Sequence, residues 1–306
     1  MFCEIICTYF RIFVVKQFKN IKRPSLCWLF FDNNLLPMKI TLLLLISSLS
    51  LFSQNKLDVK YYYEKVPNGF EIMVDNNEYC EVTAILKLKH KNVTVSTKNK
   101  NTFLIPARQQ KVRLSELTAI QMGRYGFDFT HREYRGNIKK TNYSKYYPYA
   151  LPFLKGQSAL ISQGYDGKGN HKGIEALDFN LPIGTAIAAI RSGIVIKVVD
   201  TFEKHGDTED FTRFANYIII MHSDETFALY KHLKSKSAKV KAGDKIRRGQ
   251  VIALSGNTGW TIVPHLHLEV YKPRPLGKQY IKTEFRVGTG HSPMFLKENK
   301  TYSRNY

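Results

Sequence analysis

Beyond residue 55 the chain never sustains a helical repeat. Apolar and aromatic side chains instead alternate over short runs, and each run ends in Gly, Pro, Asn or Asp. Leu57–Tyr61, Phe70–Val74 and Cys80–Leu88 follow this period of two, separated by Pro67-Asn68-Gly69 and Asp75-Asn76-Asn77. Asn92–Ser96, Thr102–Ile105, Val112–Leu117 and Phe127–Tyr134 continue it. So many short strands within residues 55–136 predict an antiparallel β-sandwich. In Cys80–Leu88 the alternation slips once, which predicts a bulge there. Residues 137–148 are polar, basic and aperiodic, and read as a linker. A second set of strands follows within residues 149–285: Ala176–Asn180, Ala186–Ile190, Ile194–Val199, Tyr217–His222, Phe227–His232, Val251–Leu254 and His265–Tyr271. Tyr217–His222 and Phe227–His232 form an expected hairpin. Pro273, Pro275, Gly288, Gly290 and the polar run from Lys297 to Asn305 mark the end of the chain as a loosely packed tail, placed at residues 286–306. The fold class is therefore all-β, a β-sheet domain preceded by a smaller β-sandwich-like one.

The first fifty-odd residues belong to neither domain. Met38-Lys39, an apolar run from Ile40 to Phe52 and the polar Ser53-Gln54 read as an export signal. The run is too short for a comfortable membrane span. Residues 1–37 carry three of the four cysteines and read as sequence upstream of the true start at Met38. Residues 1–54 are accordingly a leader, with the signal peptide at 38–54, and no stable span is expected in the processed chain. Of 46 Lys+Arg and 25 Asp+Glu, the leader holds six and two, leaving a net charge of +17 on the remainder. No element that reads nucleic acid accompanies that charge. For an exported chain an anionic cell wall polymer is the better partner. Only Cys80 survives processing, which excludes an intrachain disulfide and a thiolate zinc site.

The sandwich region holds no chemical constellation: His90 and His131 read as solvated edge residues, as does His291 near the C-terminus. The second region differs. In Pro264-His265-Leu266-His267-Leu268-Glu269 two histidines one residue apart share a strand face, and neutral imidazoles are good zinc ligands. His171 ends a glycine-rich loop and Asp178 enters a strand seven positions later. Tyr230-Lys231-His232-Leu233 places a further histidine at a strand end, and Ser255-Gly256-Asn257-Thr258-Gly259 forms a tight loop before the His-x-His strand.

Taken in order, His171, Asp178-Phe179, Pro182-Ile183-Gly184-Thr185, Tyr230-Lys231-His232-Leu233, Gly256-Asn257-Thr258-Gly259 and His265-Leu266-His267 resemble the LytM/lysostaphin-type zinc metallopeptidases over residues 150–271. The resemblance implies an antiparallel β-sheet metallopeptidase domain with one Zn²⁺ in a groove. It implies His171, Asp178 and His267 as zinc ligands and His265 and His232 as catalytic histidines. Many members separate the first ligand pair by four positions, where Glu175 falls here. Asp178 is preferred because Phe179 and the Pro182–Thr185 turn follow it at the family's interval. Two imidazoles and one carboxylate leave zinc an open position, the arrangement of a catalytic site. The implied substrate is the peptide moiety of peptidoglycan, with the D-Ala–diaminopimelate cross-link favoured. Two other readings compete. One is a non-catalytic module of the same fold that binds the wall or activates another hydrolase. The other is a biotinyl- or lipoyl-type carrier suggested by Val240–Ala253, which lacks the lysine such a carrier needs at its tip.

Overall fold

The computed structural model describes residues 56–97, 100–120 and 124–306; the leader expected over residues 1–54 lies outside them. Seven strands come first: β1 (Val59–Val66), β2 (Gly69–Asn76), β3 (Val82–Lys91), β4 (Val93–Val95), β5 (Thr102–Ile105), β6 (Val112–Ala119) and β7 (Gly126–Arg135). They form two antiparallel sheets, β1-β2-β6-β4 and β5-β3-β7. Their facing side chains, among them Ile72, Val74, Val82, Ala84, Ile105 and Leu117, make a shared core. The expected bulge in β3 is not there, since its pairings with β5 and β7 run without a register shift. The slip is Ile85, an apolar residue half-buried on the face away from the core, opposite Thr102 and Arg132. Thr83 points away from the core yet is buried, because its hydroxyl donates to Gly136 O (2.7 Å) and accepts from Ile138 N–H (3.2 Å) where the chain leaves β7. His131 also departs from expectation. It is not solvated but half-buried, stacked on Tyr61 with ring centroids 3.8 Å apart, and burial lowers its pKa.

The second region contains β8 (Pro148–Tyr149), β9 (Gln157–Gln163), β10 (Ala176–Asn180), β11 (Ala186–Ala188), β12 (Gly193–Val199), β13 (His205–Gly206), β14 (Tyr217–Met221) and β15 (Phe227–Lys231). After them come β16 (Lys245–Ile246), β17 (Val251–Leu254), β18 (Gly259–Trp260), β19 (His265–Arg274), β20 (Gly277–Tyr280), β21 (Glu284–Arg286), β22 (Pro293–Phe295) and β23 (Thr301–Arg304). Nine of these make one sheet in the order β16-β12-β14-β15-β19-β10-β9-β23, with β20 paired to β19. Strand alternation gives that sheet two unlike faces. One face is apolar: Ile161, Leu177, Phe179, Ile218, Ile220, Tyr230, Leu266 and Leu268 are buried in the main core. The Val240–Ala253 stretch supplies a turn, with Gly243 at φ +94°, then edge strand β16 and β17, which pairs with β11.

The tail is the largest revision. Residues 286–306 are not loose: β23 pairs with β9 as an edge of the nine-stranded sheet, Leu296 is buried in the core, and Tyr306 Oη donates to Arg286 O (3.0 Å). The linker is pinned as well. Lys272 Nζ donates to Asn142 O (3.3 Å), and Lys140 pairs with Glu225 (2.6 Å). The opposite sheet face meets the N-terminal sandwich. Cys80 packs there against Ile196, Ile219, Phe227 and Tyr271, and burial pushes its thiol up to about 12, which suits a packing residue and not a reactive one.

Candidate metal centre

On that opposite face one cross-strand row collects most of the polar chemistry. Antiparallel pairing sets Gln163 opposite Asp178, Asp178 opposite His267, His267 opposite Lys231, and Lys231 opposite Tyr217. Directly opposed residues share a face, so five strands each contribute one member. His171 joins from the loop before β10. The seven-residue interval to Asp178 is taken up by a turn in which Ile174 N–H donates to His171 O (2.8 Å) and Gly173, at φ +74°, donates to Asp166 Oδ1 (2.6 Å).

Three donor atoms converge. His171 Nε2 lies 3.2 Å from His267 Nδ1 and 3.3 Å from Asp178 Oδ1, and His267 Nδ1 lies 3.0 Å from Asp178 Oδ1. Ligands about 2.0–2.1 Å from a tetrahedral metal are separated by roughly 3.3 Å, so the triangle fits such an ion. Among the described residues this is the one cluster of three or more His, Cys, Asp or Glu side chains placed to hold a metal. The remaining ring nitrogens are occupied in the manner of metal ligands. His171 Nδ1–H donates to Gly164 O (2.9 Å), leaving Nε2 for the centre. His267 Nε2 faces the Glu269 carboxylate at 3.6 Å, and Glu269 is held in turn by Lys278. Burial works to raise the Asp178 pKa, but hydrogen bonds from His171 and His267 hold it well below the carboxylate range. Burial works to lower that of His267, and Asp178 and Glu269 carry it up to about 9. His267 thus lies between two buried carboxylates. Glu175, the rival at the shorter spacing, stays outside the cluster.

The other two histidines flank this triangle. His265 Nδ1–H donates to Val263 O (2.8 Å), which leaves Nε2 unprotonated and 3.7 Å from Asp178 Oδ1. His232 follows Lys231, so simple alternation would send it to the core with Tyr230. Its left-handed backbone, φ +65°, turns it back instead, with its ring 4.6 Å from that of His265 and 6.0 Å from that of His267. Its Nδ1–H donates to Thr258 O (2.7 Å). Gly256 permits this loop to close, because a Cβ there would sit 2.4 Å from Lys234 N. Burial lowers the pKa of both rings, that of His232 well below the usual value. Two neutral imidazoles with free Nε2 atoms therefore face the centre. The structure brings all five sequence-derived residues together.

Sequence reasoning missed the groups behind them. The register of β9 on β10 shifts beside Asp178, and this bulge turns Gln163 toward both candidate ligands. In the amide orientation that the surrounding N–H groups require, the Gln163 N–H donates to Asp178 Oδ2 (3.2 Å) and its carbonyl accepts from the N–H groups of Asn170 (2.8 Å), Gly169 and His171. Gln163 thus holds back one carboxylate oxygen and fixes the loop carrying His171. Gln163→Leu is expected to weaken metal binding about 10–100-fold with little change in melting temperature; competition against a chromophoric chelator measures it. Glu269 did carry a signal, since it shares strand parity with His265 and His267.

Residues 169–282 match the model of peptidase family M23. The chain carries an M23 peptidase domain. An uncharacterized metalloprotease of Buchnera aphidicola subsp. Baizongia pistaciae (strain Bp) is 28% identical over 224 residues, 71% of this chain and 49% of the relative. Peptidoglycan DD-endopeptidase ShyA of Vibrio cholerae serotype O1 is 37% identical over 100 residues, 32% of this chain and 20% of that protein. Glycyl-glycine endopeptidase ALE-1 of Staphylococcus capitis is 30% identical over 138 residues, 45% of this chain and 32% of that protein. The chain spans about half the length of the first and less of the other two. The M23 match begins just before His171 and contains all five residues of the site.

Proposed function

We propose that this chain is a zinc-dependent endopeptidase that hydrolyses peptide cross-links of peptidoglycan, the D-Ala–diaminopimelate bond in particular. The observation that carries the reading is the triangle of His171 Nε2, Asp178 Oδ1 and His267 Nδ1, with the neutral Nε2 atoms of His265 and His232 beside it. The M23 match and the names of the endopeptidase relatives support peptide hydrolysis and a peptidoglycan substrate. Zinc in a site of this donor set supplies a Lewis acid and lowers the pKa of water to about 7.

The chain's own residues do the rest. His265, with Nδ1–H committed to Val263 O, accepts the proton of the attacking water at Nε2 and passes it to the leaving amine. His232, held by Thr258 O, directs its other nitrogen toward the developing oxyanion. Pinning Asp178 Oδ2 to Gln163 leaves only Oδ1 directed at the centre, which keeps a position open for reaction. The export signal expected at residues 38–54 and the net positive charge agree with a wall substrate outside the cytoplasm. No helix among the described residues is long and apolar enough to cross a membrane.

Digestion of purified cross-linked muropeptides, with and without a chelator, followed by mass spectrometry tests the reading. A chelator-sensitive cut at the D-Ala–diaminopimelate bond is expected. Cleavage that survives exhaustive chelation, or no new product at all, would overturn it.

A further inference from the structure

We propose that Lys231 binds a carboxylate of the substrate peptide, one or two residues from the bond cleaved beside His267; the proposal rests on the peptidase reading above. Lys231 lies on the strand next to His267 and directly opposite it, so its side chain leaves the same face of the sheet. Adjacent strands are about 4.8 Å apart and an extended peptide advances about 3.3 Å per residue. A peptide laid across the row from His267 therefore passes over Lys231 within one or two residues.

Nothing among the described residues is bonded to the ammonium of the lysine, by hydrogen bond or ion pair. The acids on this face are committed elsewhere: Glu269 to Lys278 and His267, Asp178 to His171, His267 and Gln163, and Glu78 to Arg135. The side chain is half-buried and shares its strand face with Leu229 and Phe227, so its cation is partly stripped of water. Burial lowers its pKa, and the charge of Glu269 opposes that. A partly dehydrated cation beside a centre of like charge is complementary to an anion brought by the ligand. Along a peptide that anion is a carboxylate, either a free terminus or an acidic side chain next to the scissile bond.

The test compares wild type, Lys231→Met and Lys231→Arg on a cross-linked muropeptide with a free carboxylate next to the scissile bond and on its amidated counterpart. Hydrogen bonds to charged groups correspond to about 10–100-fold in affinity. Lys231→Met is expected to raise KM for the free acid by about that factor, with kcat within about threefold. It should process the two substrates alike, whereas Lys231→Arg retains part of the preference. A wild type indifferent to amidation, or a Lys231→Met variant that keeps the preference, overturns the proposal. So does a loss confined to kcat. If wild type cleaves neither substrate, the peptidase reading falls by itself. Calorimetric binding of both peptides to wild type and Lys231→Met then decides the carboxylate contact, and equal affinities overturn it.

Discussion

Replacing His267 by alanine is expected to abolish metal binding and muropeptide cleavage together, with activity falling on the order of a thousandfold or more. The substitution removes one of three donor atoms, and two donors do not define a tetrahedral site. It also deletes the group that separates Asp178 from Glu269. Both carboxylates are buried, at 8% and 4% exposure, and each loses the imidazole beside it. Stability should therefore fall too, by about 3–5 kcal/mol if both remain ionised. Metal content by plasma mass spectrometry, activity and thermal melting separate the three effects, with the exposed His291→Ala as the control expected to change none. Wall lysis that persists in a metal-free His267→Ala protein would favour a non-catalytic binding module.

A chain ending at Val287 is expected to melt about 10–20 °C lower and to bind metal more weakly. Truncation removes β23, and with it the backbone pairing that covers β9 from Gln157 to Leu160. It also removes Leu296 from the core, where loss of a buried leucine costs about 2–5 kcal/mol. Tyr306 and its hydrogen bonds to Leu151 N–H and Arg286 O go as well. For a chain of this size each kcal/mol corresponds to about 2–4 °C. The link to the metal runs through Glu298, which accepts from Gly164 N–H (3.0 Å), while Gly164 O accepts from His171 Nδ1. Leu296→Ala alone should reproduce part of the melting shift and leave metal affinity near wild type. Glu298→Ala should do the reverse. Equal melting of full-length and truncated protein would return residues 288–306 to the status of a loose appendage.

Most of the sheet was legible in the sequence because its strands are buried on at least one face, which writes alternation into Leu266, Leu268 and Val270 or into Ile218 and Ile220. The tail was hidden for the converse reason. β22 and β23 are short, Met294 and Phe295 are exposed, and Thr301–Arg304 works through backbone pairing to which side-chain pattern is blind. β9 was missed between glycines although Ala159 and Ile161 alternate correctly. At the site, His265 and His267 declare their shared face through spacing. His232 does not, since a single left-handed residue reverses its parity. Gln163 and Lys278 could not be found locally, because their meaning comes from the strands they oppose. His131 looked solvated because its burial depends on Tyr61, some seventy residues earlier.

The cross-strand row makes the centre a checksum on folding. Gln163, Asp178, His267 and Lys231 sit on four different strands, and a slip of one residue in any of them sends its member to the apolar core. The donor triangle closes only when β10 and β19 are in register, and Gln163 and Lys231 join it only when β9 and β15 are too. An ion with affinity for that triangle would then select the correctly paired sheet from its slipped neighbours. Metal added during refolding should raise the yield of native protein, not only its activity afterwards.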